Sequence, residues 1–262
     1  MSERTVPETV ELTWFLVKYK GENIDTYLHH IPVLDYDRAY GRFNLLMDYF
    51  MQDEIIDLVD TTNKIIGQIG KNESHKSAKW HRTVSFILVD SKRKLIYFQD
   101  KAKVSELNSE DFFVKLNGGH LLSGETPEQG IRELEEELGI KVHPDKLIPM
   151  GIDQTAVDFS DKYKIREFMY YFIVDVEDVL NKVKFQDSEV SSLIYFDPEH
   201  ALKLILGAAK EMTGIVYDGE KELEVTLKPT AFKNFTDDNL YLRIFLAVKR
   251  YFAGEPPEYI II

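Results

Sequence analysis

The sequence has no cysteine among its 262 residues and no long apolar run. The missing thiols exclude disulfide scaffolds, thiolate zinc sites and cysteine nucleophiles. The longest apolar runs, such as 86–89 and 170–174, are far shorter than the roughly 20 residues that span a bilayer, and the N-terminus lacks the apolar segment of a signal peptide. We therefore expect a cytoplasmic protein without a membrane partner.

Basic residues are also outnumbered. The sequence has 45 acidic and 32 basic side chains, which give a formal net charge of −13. This surplus repels a phosphate backbone, and no basic stretch offsets it, so we do not expect nucleic acid as a partner. Small phosphorylated ligands stay open if cations mediate their binding. Hydrophobic residues make up 44 % of the chain, which is enough for a substantial core.

Strands and helices alternate along the chain, which indicates the mixed α/β class. A strand and a helix are predicted in the first 52 residues, at 9–19 and 37–51. Hairpins and single strands are predicted further on, at 55–68, 83–99, 147–152, 166–176 and 190–196. Asp197-Pro198 is typical of a helix start and predicts a helix over 198–212, and a last helix is predicted over 236–252.

Most of the chemical signal lies between Leu116 and Ile140. Thr126 with Gln129 three residues later is a capping-box pattern, and Gly139 is a typical helix stop, so the spacing predicts a helix between them. Gly119, in the preceding Gly-Gly pair, lets the backbone approach a ligand and present its carbonyl oxygen.

Three acidic residues of this helix, Glu133, Glu136 and Glu137, share one face because they stand at i, i+3 and i+4. Like charges at these spacings destabilise a helix by about 0.2–0.5 kcal/mol per pair. A hard divalent cation such as Mg²⁺ or Mn²⁺ reverses that sign, whereas a solvated acidic surface is the alternative interpretation. Arg132 lies four residues before Glu136 and can brace its carboxylate.

Together these residues resemble the Nudix box, which runs Gly, five residues, Glu, seven residues, Arg-Glu, aliphatic, any residue, Glu-Glu, any residue, Gly and aliphatic. The residues that match it in order are Gly119, Glu125, Arg132-Glu133, Leu134, Glu136-Glu137, Gly139 and Ile140. The departure is that six residues, and not seven, separate Glu125 from Arg132. A deletion inside the helix would rotate Glu125 by about 100°, whereas one absorbed around Gln129-Gly130 would be harmless.

The resemblance implies a Nudix-type α/β/α sandwich with a mixed sheet over 53–212, flanked by an N-terminal extension, 1–52, and a C-terminal extension, 213–262. It implies a metal-dependent hydrolase that cleaves a diphosphate linkage in a nucleoside diphosphate derivative or a similar small molecule. Water attacks phosphorus in this chemistry. The resemblance makes Glu133, Glu136, Glu137 and the Gly119 carbonyl ligands of Mg²⁺ or Mn²⁺.

The remaining roles follow from the same resemblance. Arg132 is the brace of the carboxylates, and Glu125 belongs to the catalytic set. Candidates for the general base are Glu133, Glu136 and Glu189, although Glu189 also fits a solvated loop acid. Two residues are candidates for substrate binding: His120, which follows the Gly-Gly pair, and Arg166, which lies near the aromatic side chains Phe159 and Tyr163.

A weaker likeness links Asp53–Asp60 and Trp80-His81-Arg82 to the isopentenyl-diphosphate-isomerase-like branch. Enzymes of that branch use a cysteine for proton transfer at carbon, so its isomerisation is excluded here, and His81 is either a metal ligand or a structural histidine. The main alternative function is a non-catalytic nucleotide-binding or regulatory module, with the extensions serving partner binding or homodimerisation. Processing of RNA ends uses the same chemistry, but the net charge of −13 disfavours it.

Overall fold

The computed structural model of the chain describes residues 53–100, 114–185, 190–232 and 239–262. The chain divides after Asp53, and the architecture below belongs to the unit Glu54–Ile262. The strand and helix predicted at 9–19 and 37–51, and the candidate base Glu189, lie outside the described residues. Within the described ranges, no helix has the length and apolar character needed to cross a membrane.

A two-stranded hairpin and a short helix open this unit. Strand β1 (Ile55–Val59) pairs antiparallel with β2 (Ile65–Gly70), and α1 (Lys71–Lys76) follows directly. The hairpin predicted over 55–68 is therefore confirmed, while α1 was not predicted.

The main sheet has eight strands. They are β3 (His81–Asp90), β4 (Leu95–Asp100), β5 (Asn117–His120), β6 (Ile148–Ser160), β7 (Tyr163–Asp175), β8 (Ser192–Phe196), β9 (Met212–Tyr217) and β10 (Glu222–Leu227). Their order is β10-β9-β8-β4-β3-β7-β6, and β5 pairs with the first half of β3. Because β3 and β7 run parallel while β3 and β4 run antiparallel, the sheet is mixed.

Helices cover both faces of the sheet. Alternate residues of β3 point to opposite faces, as the two-residue period of a strand requires: Val84, Phe86 and Leu88 pack on one side, and Ile87 and Val89 on the other. The first face is covered by α2 (Arg132–Leu138) and the short α3 (Val179–Lys182), and the second by α4 (Pro198–Ile205) and α5 (Leu240–Phe252). The predicted α/β/α arrangement around a mixed sheet is confirmed.

The stretch after residue 205 differs from the sequence-based prediction. The helix predicted over 198–212 ends at Ile205, because the chain turns at Gly207, whose φ of 75° is in the left-handed region. Strands β9 and β10 then add to the sheet next to β8. Residues that we assigned to a C-terminal extension thus contribute to the main sheet, and α5 packs on the same core.

Candidate functional site

Strand β5 brings its backbone against the carboxyl group of Glu133. A Cβ atom at Gly119 would lie 2.7 Å from Glu133 Cδ, and one at Gly118 would lie 2.1 Å from the carbonyl oxygen of Val84. Gly118 also has a φ of 135°, which L-residues rarely adopt. A side chain at Gly118 would therefore meet the backbone of β3, whereas one at Gly119 would displace the carboxyl group of Glu133.

The segment with one residue fewer than the family pattern forms a 3₁₀ turn. This turn spans Gln129–Ile131 and leads directly into α2, which begins at Arg132. The Gln129 side chain accepts a 2.8 Å hydrogen bond from the backbone N–H of Thr126, which is one half of the predicted capping box. A Cβ at Gly130 would lie 2.6 Å from Leu121 Cδ2, so the turn is pressed tightly onto the sheet.

Arg132 gathers the box carboxylates around one guanidinium group. Its Nε and Nη2 donate to the two carboxylate oxygens of Glu125 at 2.7 and 3.2 Å. Its Nη1 lies 2.9 Å from Glu133 Oε1 and 2.9 Å from Glu136 Oε2. Nη2 also donates to the carbonyl oxygen of His120 at 3.0 Å. Glu125 therefore contacts the same guanidinium as the helix carboxylates although the connecting segment is short.

The carboxyl group of Glu133 has a raised pKa. Burial raises its pKa to about 7, and the negative charges of Glu136 and Glu54 add to the effect, while Arg132 opposes it. Glu136 is exposed, whereas Glu137, the next residue of the helix, is buried. An acid of pKa about 7 that shares an arginine with a second carboxylate is suited to bind a cation or to exchange a proton.

A second cluster of ligating groups lies at the start of β3. It contains His75 of α1, His81 of β3, His120 of β5 and Glu167 of β7, and one ligand atom from each lies within 4.8 Å of all the others. His81 and Glu167 face each other in the parallel β3–β7 register. Sequence reasoning singled out His81 and His120 but missed His75 and Glu167, because four separate elements supply the residues and no fixed spacing links them.

Hydrogen bonds to backbone carbonyls fix the tautomers of two histidines of the cluster. The Nδ1 atoms of His75 and His81 lie 3.2 and 2.9 Å from the carbonyl oxygens of Lys164 and Lys79, so each Nδ1 carries the proton and donates it. The Nε2 atoms of His75 and His120 are 3.1 Å apart. Nε2 of His81 is buried, has no hydrogen-bond partner among the described residues and lies 3.5 Å from Glu167 Oε1.

Burial lowers the pKa of His75 and lowers that of His120 well below its ordinary value. Neutral imidazoles whose Nδ1–H groups are held by carbonyls are the form in which histidine binds metal. His75 and His81 have this arrangement, and together with His120 and the carboxylate of Glu167 they suit a borderline cation such as Zn²⁺ or Mn²⁺.

The two predicted substrate-binding residues have defined partners. His120 has its ring in the histidine cluster and its carbonyl oxygen on Arg132, so β5 connects the cluster with the box. The guanidinium of Arg166 donates to the carbonyl oxygens of Val157 and Ile165 and pairs with Asp158 at 2.7 Å. Their contacts with a substrate stay predictions.

Known proteins are similar to this chain over the region that contains the box. A family model described as NUDIX domain matches residues 79–219. An uncharacterized Nudix hydrolase of Clostridium acetobutylicum is 29 % identical over 157 residues, which are 59 % of this chain and 75 % of that protein.

Two solved structures are also similar over part of the chain. A Deinococcus radiodurans crystal structure has a TM-score of 0.38 and 21 % identity over 59 % of this chain and 89 % of its own. A MutT NUDIX hydrolase from Burkholderia pseudomallei has a TM-score of 0.35 and 16 % identity, over 46 % of this chain and 84 % of its own.

Proposed function

The chain belongs to the Nudix domain family, and we propose that it is a metal-dependent hydrolase that cleaves a diphosphate linkage in a nucleoside diphosphate derivative or a similar small molecule. The observation that carries this proposal is the contact of one guanidinium, Arg132, with Glu125, Glu133 and Glu136. Three carboxylates held together beside a glycine strand are costly without a cation and useful with one.

The residues present fit a hard divalent ion. Glu133, Glu136, Glu137 and the carbonyl oxygen of Gly119 would hold Mg²⁺ or Mn²⁺, because the absence of a side chain at Gly119 lets the Glu133 carboxyl group lie against the backbone of β5. When bound, such an ion neutralises phosphate charge and lowers the pKa of a coordinated water.

The side chains of the box position one another, and one of the carboxylates accepts a proton. Arg132 keeps Glu133 and Glu136 within reach of one another, and Glu125 holds Arg132 in place through two hydrogen bonds. Glu133 is one candidate for the general base, since its pKa of about 7 in the metal-free protein lies near neutral pH. Water oxygen then bonds to phosphorus, the anhydride P–O bond breaks, and the water proton passes to the carboxylate. Glu136 is the second candidate, and Glu189 stays a prediction.

We further propose a second cation, of the Zn²⁺ or Mn²⁺ type, at the histidine cluster defined by His75, His81, His120 and Glu167. The ring of His120 belongs to that cluster, and its backbone carbonyl accepts from Arg132. A cation that fixes the ring would therefore also hold the backbone that contacts Arg132. Self-association and a cytoplasmic location stay predictions.

The test is a panel of diphosphate compounds, incubated with the protein and with Mg²⁺ or Mn²⁺ separately, with phosphate and nucleotide release measured. The panel includes sugar nucleotides, dinucleotides, deoxynucleoside triphosphates and a triphosphorylated RNA end. We expect metal-dependent release from at least one small compound. Incorporation of ¹⁸O from labelled water into the phosphate product would establish attack at phosphorus.

The matched control is a pair of substitutions on neighbouring residues of α2. Glu136→Gln removes a box carboxylate and is expected to abolish turnover with the fold retained, whereas Glu135→Gln alters an exposed acid that pairs with Lys141 and is expected to keep it. Nucleotide binding without turnover in any condition would instead support a regulatory module. Unchanged activity in Glu136→Gln would show that the box is not the site.

A further inference from the structure

Asp57 is a buried carboxylate in β1 that the proposed reaction does not use. Only 6 % of the residue is exposed, and burying an ionised group is costly unless several donors compensate it. Its Oδ1 accepts a 2.7 Å hydrogen bond from the hydroxyl of Ser123, and both carboxylate oxygens lie 3.3 Å from the backbone nitrogen of Gly124. The donors therefore come from the loop that follows β5.

The rest of the hairpin holds the same loop. Gln68 of β2 donates from Nε2 to Ser123 Oγ at 2.6 Å, so this hydroxyl donates to one strand and accepts from the other. The backbone nitrogen of Ser123 donates to the carbonyl oxygen of Ile55 at 2.8 Å. The β1–β2 hairpin is a separate two-stranded sheet, and these bonds attach it to the loop.

The loop in turn fixes Glu125. The backbone N–H of Leu122 donates to Glu125 Oε2 at 2.8 Å, and the backbone N–H of Glu125 donates to the Leu122 carbonyl oxygen at 3.0 Å. Glu125 then holds Arg132 through two hydrogen bonds. A continuous series of contacts thus runs from Asp57 through the loop to the guanidinium that gathers the box carboxylates.

We propose that Asp57 is a positioning residue, which sets the geometry of the metal-binding carboxylates through Ser123, Gly124 and Glu125; the proposal rests on the function proposed above. Helix α2 itself is anchored to the sheet by Leu134 and Leu138, which are fully buried. Loss of Asp57 therefore leaves the helix in place and releases the Glu125 loop. Groups that orient metal ligands in this way change metal affinity or activity by roughly 10- to 100-fold when removed.

The experiment measures Mn²⁺ binding by electron paramagnetic resonance in the full chain without substrate. The component that disappears in Glu136→Gln identifies ions bound at the box and separates them from ions at the histidine cluster. We expect Asp57→Ala to weaken this component by about 10- to 100-fold. Asp57→Asn keeps the oxygen that faces Ser123 but turns an amide towards Gly124 N–H, so its loss should be smaller.

The matched control is Asp60→Ala. Asp60 lies in the turn of the same hairpin and accepts hydrogen bonds from the backbone nitrogens of Thr62 and Lys64, but none from the Glu125 loop. We expect its loss to lower the melting temperature and to leave Mn²⁺ affinity unchanged. If Asp57→Ala lowers the melting temperature by a similar amount and keeps the wild-type Mn²⁺ affinity, Asp57 has a structural role alone and the proposal is overturned.

A second variant covers the case in which Asp57→Ala does not fold. Ser123→Ala removes the hydroxyl that donates to Asp57 and accepts from Gln68, and it keeps the Gly124 N–H on Asp57 and the backbone bond from Ser123 to Ile55. A weaker box component in that variant supports the proposal, and wild-type affinity contradicts it. Where a substrate is found, kcat should fall in Asp57→Ala with the substrate KM little changed. Because the resonance measurement needs no turnover, a wild-type protein that hydrolyses nothing would refute the proposed function and still leave this inference decidable.

Discussion

At the scale of single residues, the pKa of Glu133 is set by burial and by charged neighbours that act in opposite directions. Its pKa in the folded protein is about 7, against an ordinary value of 4.5. Below pH 4.5 the group is protonated in both the folded and the unfolded chain, so it has no pH-dependent effect. Between pH 4.5 and pH 7, Glu133 ionises in the unfolded chain while it stays protonated in the folded protein, so stability falls as the pH rises. Above pH 7 the folded protein bears the full cost of a buried carboxylate.

Glu133→Gln should therefore stabilise the metal-free protein, relative to wild type, more at pH 8 than at pH 4.5. We expect the difference in unfolding free energy between variant and wild type to increase by about 2–3 kcal/mol over that interval. Urea unfolding in the presence of EDTA at several pH values measures it. Glu135→Gln, at an exposed position of the same helix, should show no such trend. A constant difference across the pH range would refute the assigned cause.

Gly119 offers a test of the space beside Glu133. In Gly119→Ala the new Cβ would lie 2.7 Å from Glu133 Cδ, so the carboxyl group must move. We expect at least a tenfold weaker Mg²⁺-dependent activity, with the far-ultraviolet circular dichroism spectrum retained. The control is Gly67→Ala, where the nearest atom, Leu58 Cδ2, is at an ordinary 3.8 Å. Equal activity in the two variants would contradict the proposed crowding.

At the scale of elements, the 3₁₀ turn before α2 explains how a shortened box keeps Glu125 and Arg132 in contact. A 3₁₀ turn uses three residues where an α-helical turn uses about 3.6, so it takes up about 0.6 of the missing residue. The lack of a side chain at Gly130 lets the turn lie close to Leu121 and Val84.

Gly130→Ala should disturb that packing. Its Cβ would lie 2.6 Å from Leu121 Cδ2 and 2.7 Å from Val84 Cγ1, and overpacking of this kind costs about 1–3 kcal/mol of stability. Chemical denaturation compared with Gly67→Ala measures the effect. A variant as stable as wild type would mean that the turn moves freely and is not what aligns the box.

The histidine cluster depends on four elements, and its occupancy can be read from stability. Zn²⁺ at 100 times its dissociation constant should add about 2.7 kcal/mol to the unfolding free energy. His81→Gln should remove most of this gain, whereas His143→Gln should keep it, since His143 is exposed and pairs with Asp145. A thermal shift that is equal in both variants would place the ion elsewhere.

At the scale of the whole molecule, the residues after 212 complete the fold. Strands β9 and β10 extend the sheet, and α5 packs Ile244, Phe245 and Val248 into the core cluster that also contains Ile87 and Phe98. Their removal would expose a sheet edge and an apolar face. The free energy lost in this way would be large compared with the marginal stability of a domain.

A chain that ends at residue 212 should therefore fail to fold. We expect loss of the cooperative thermal transition and binding of a hydrophobic dye, because the truncation uncovers the face that α5 protects. Circular dichroism and dye fluorescence, each compared with the full chain, measure these changes. A truncated chain that melts cooperatively would show that the last 50 residues are an independent addition.

Much of this architecture was accessible from local patterns. The hairpins at 55–68 and 83–99 and the stop of α2 at Gly139 follow from residue periodicity and turn chemistry, which act between near neighbours. The end of α4 was predicted wrongly because the residues around it, rich in leucine and alanine, are compatible with helix, whereas Gly207 turns the chain.

The box could be predicted from the sequence, because its residues lie within one segment and their spacing fixes which side chains share a helical face. The histidine cluster and the attachment of Asp57 to the Glu125 loop form only when the chain folds. His75 and Glu167 are separated by more than 90 positions in sequence, and they come together because α1 packs beside β7 and because β3 and β7 pair in parallel. Such pairings depend on which surfaces are buried together, and no local spacing records them.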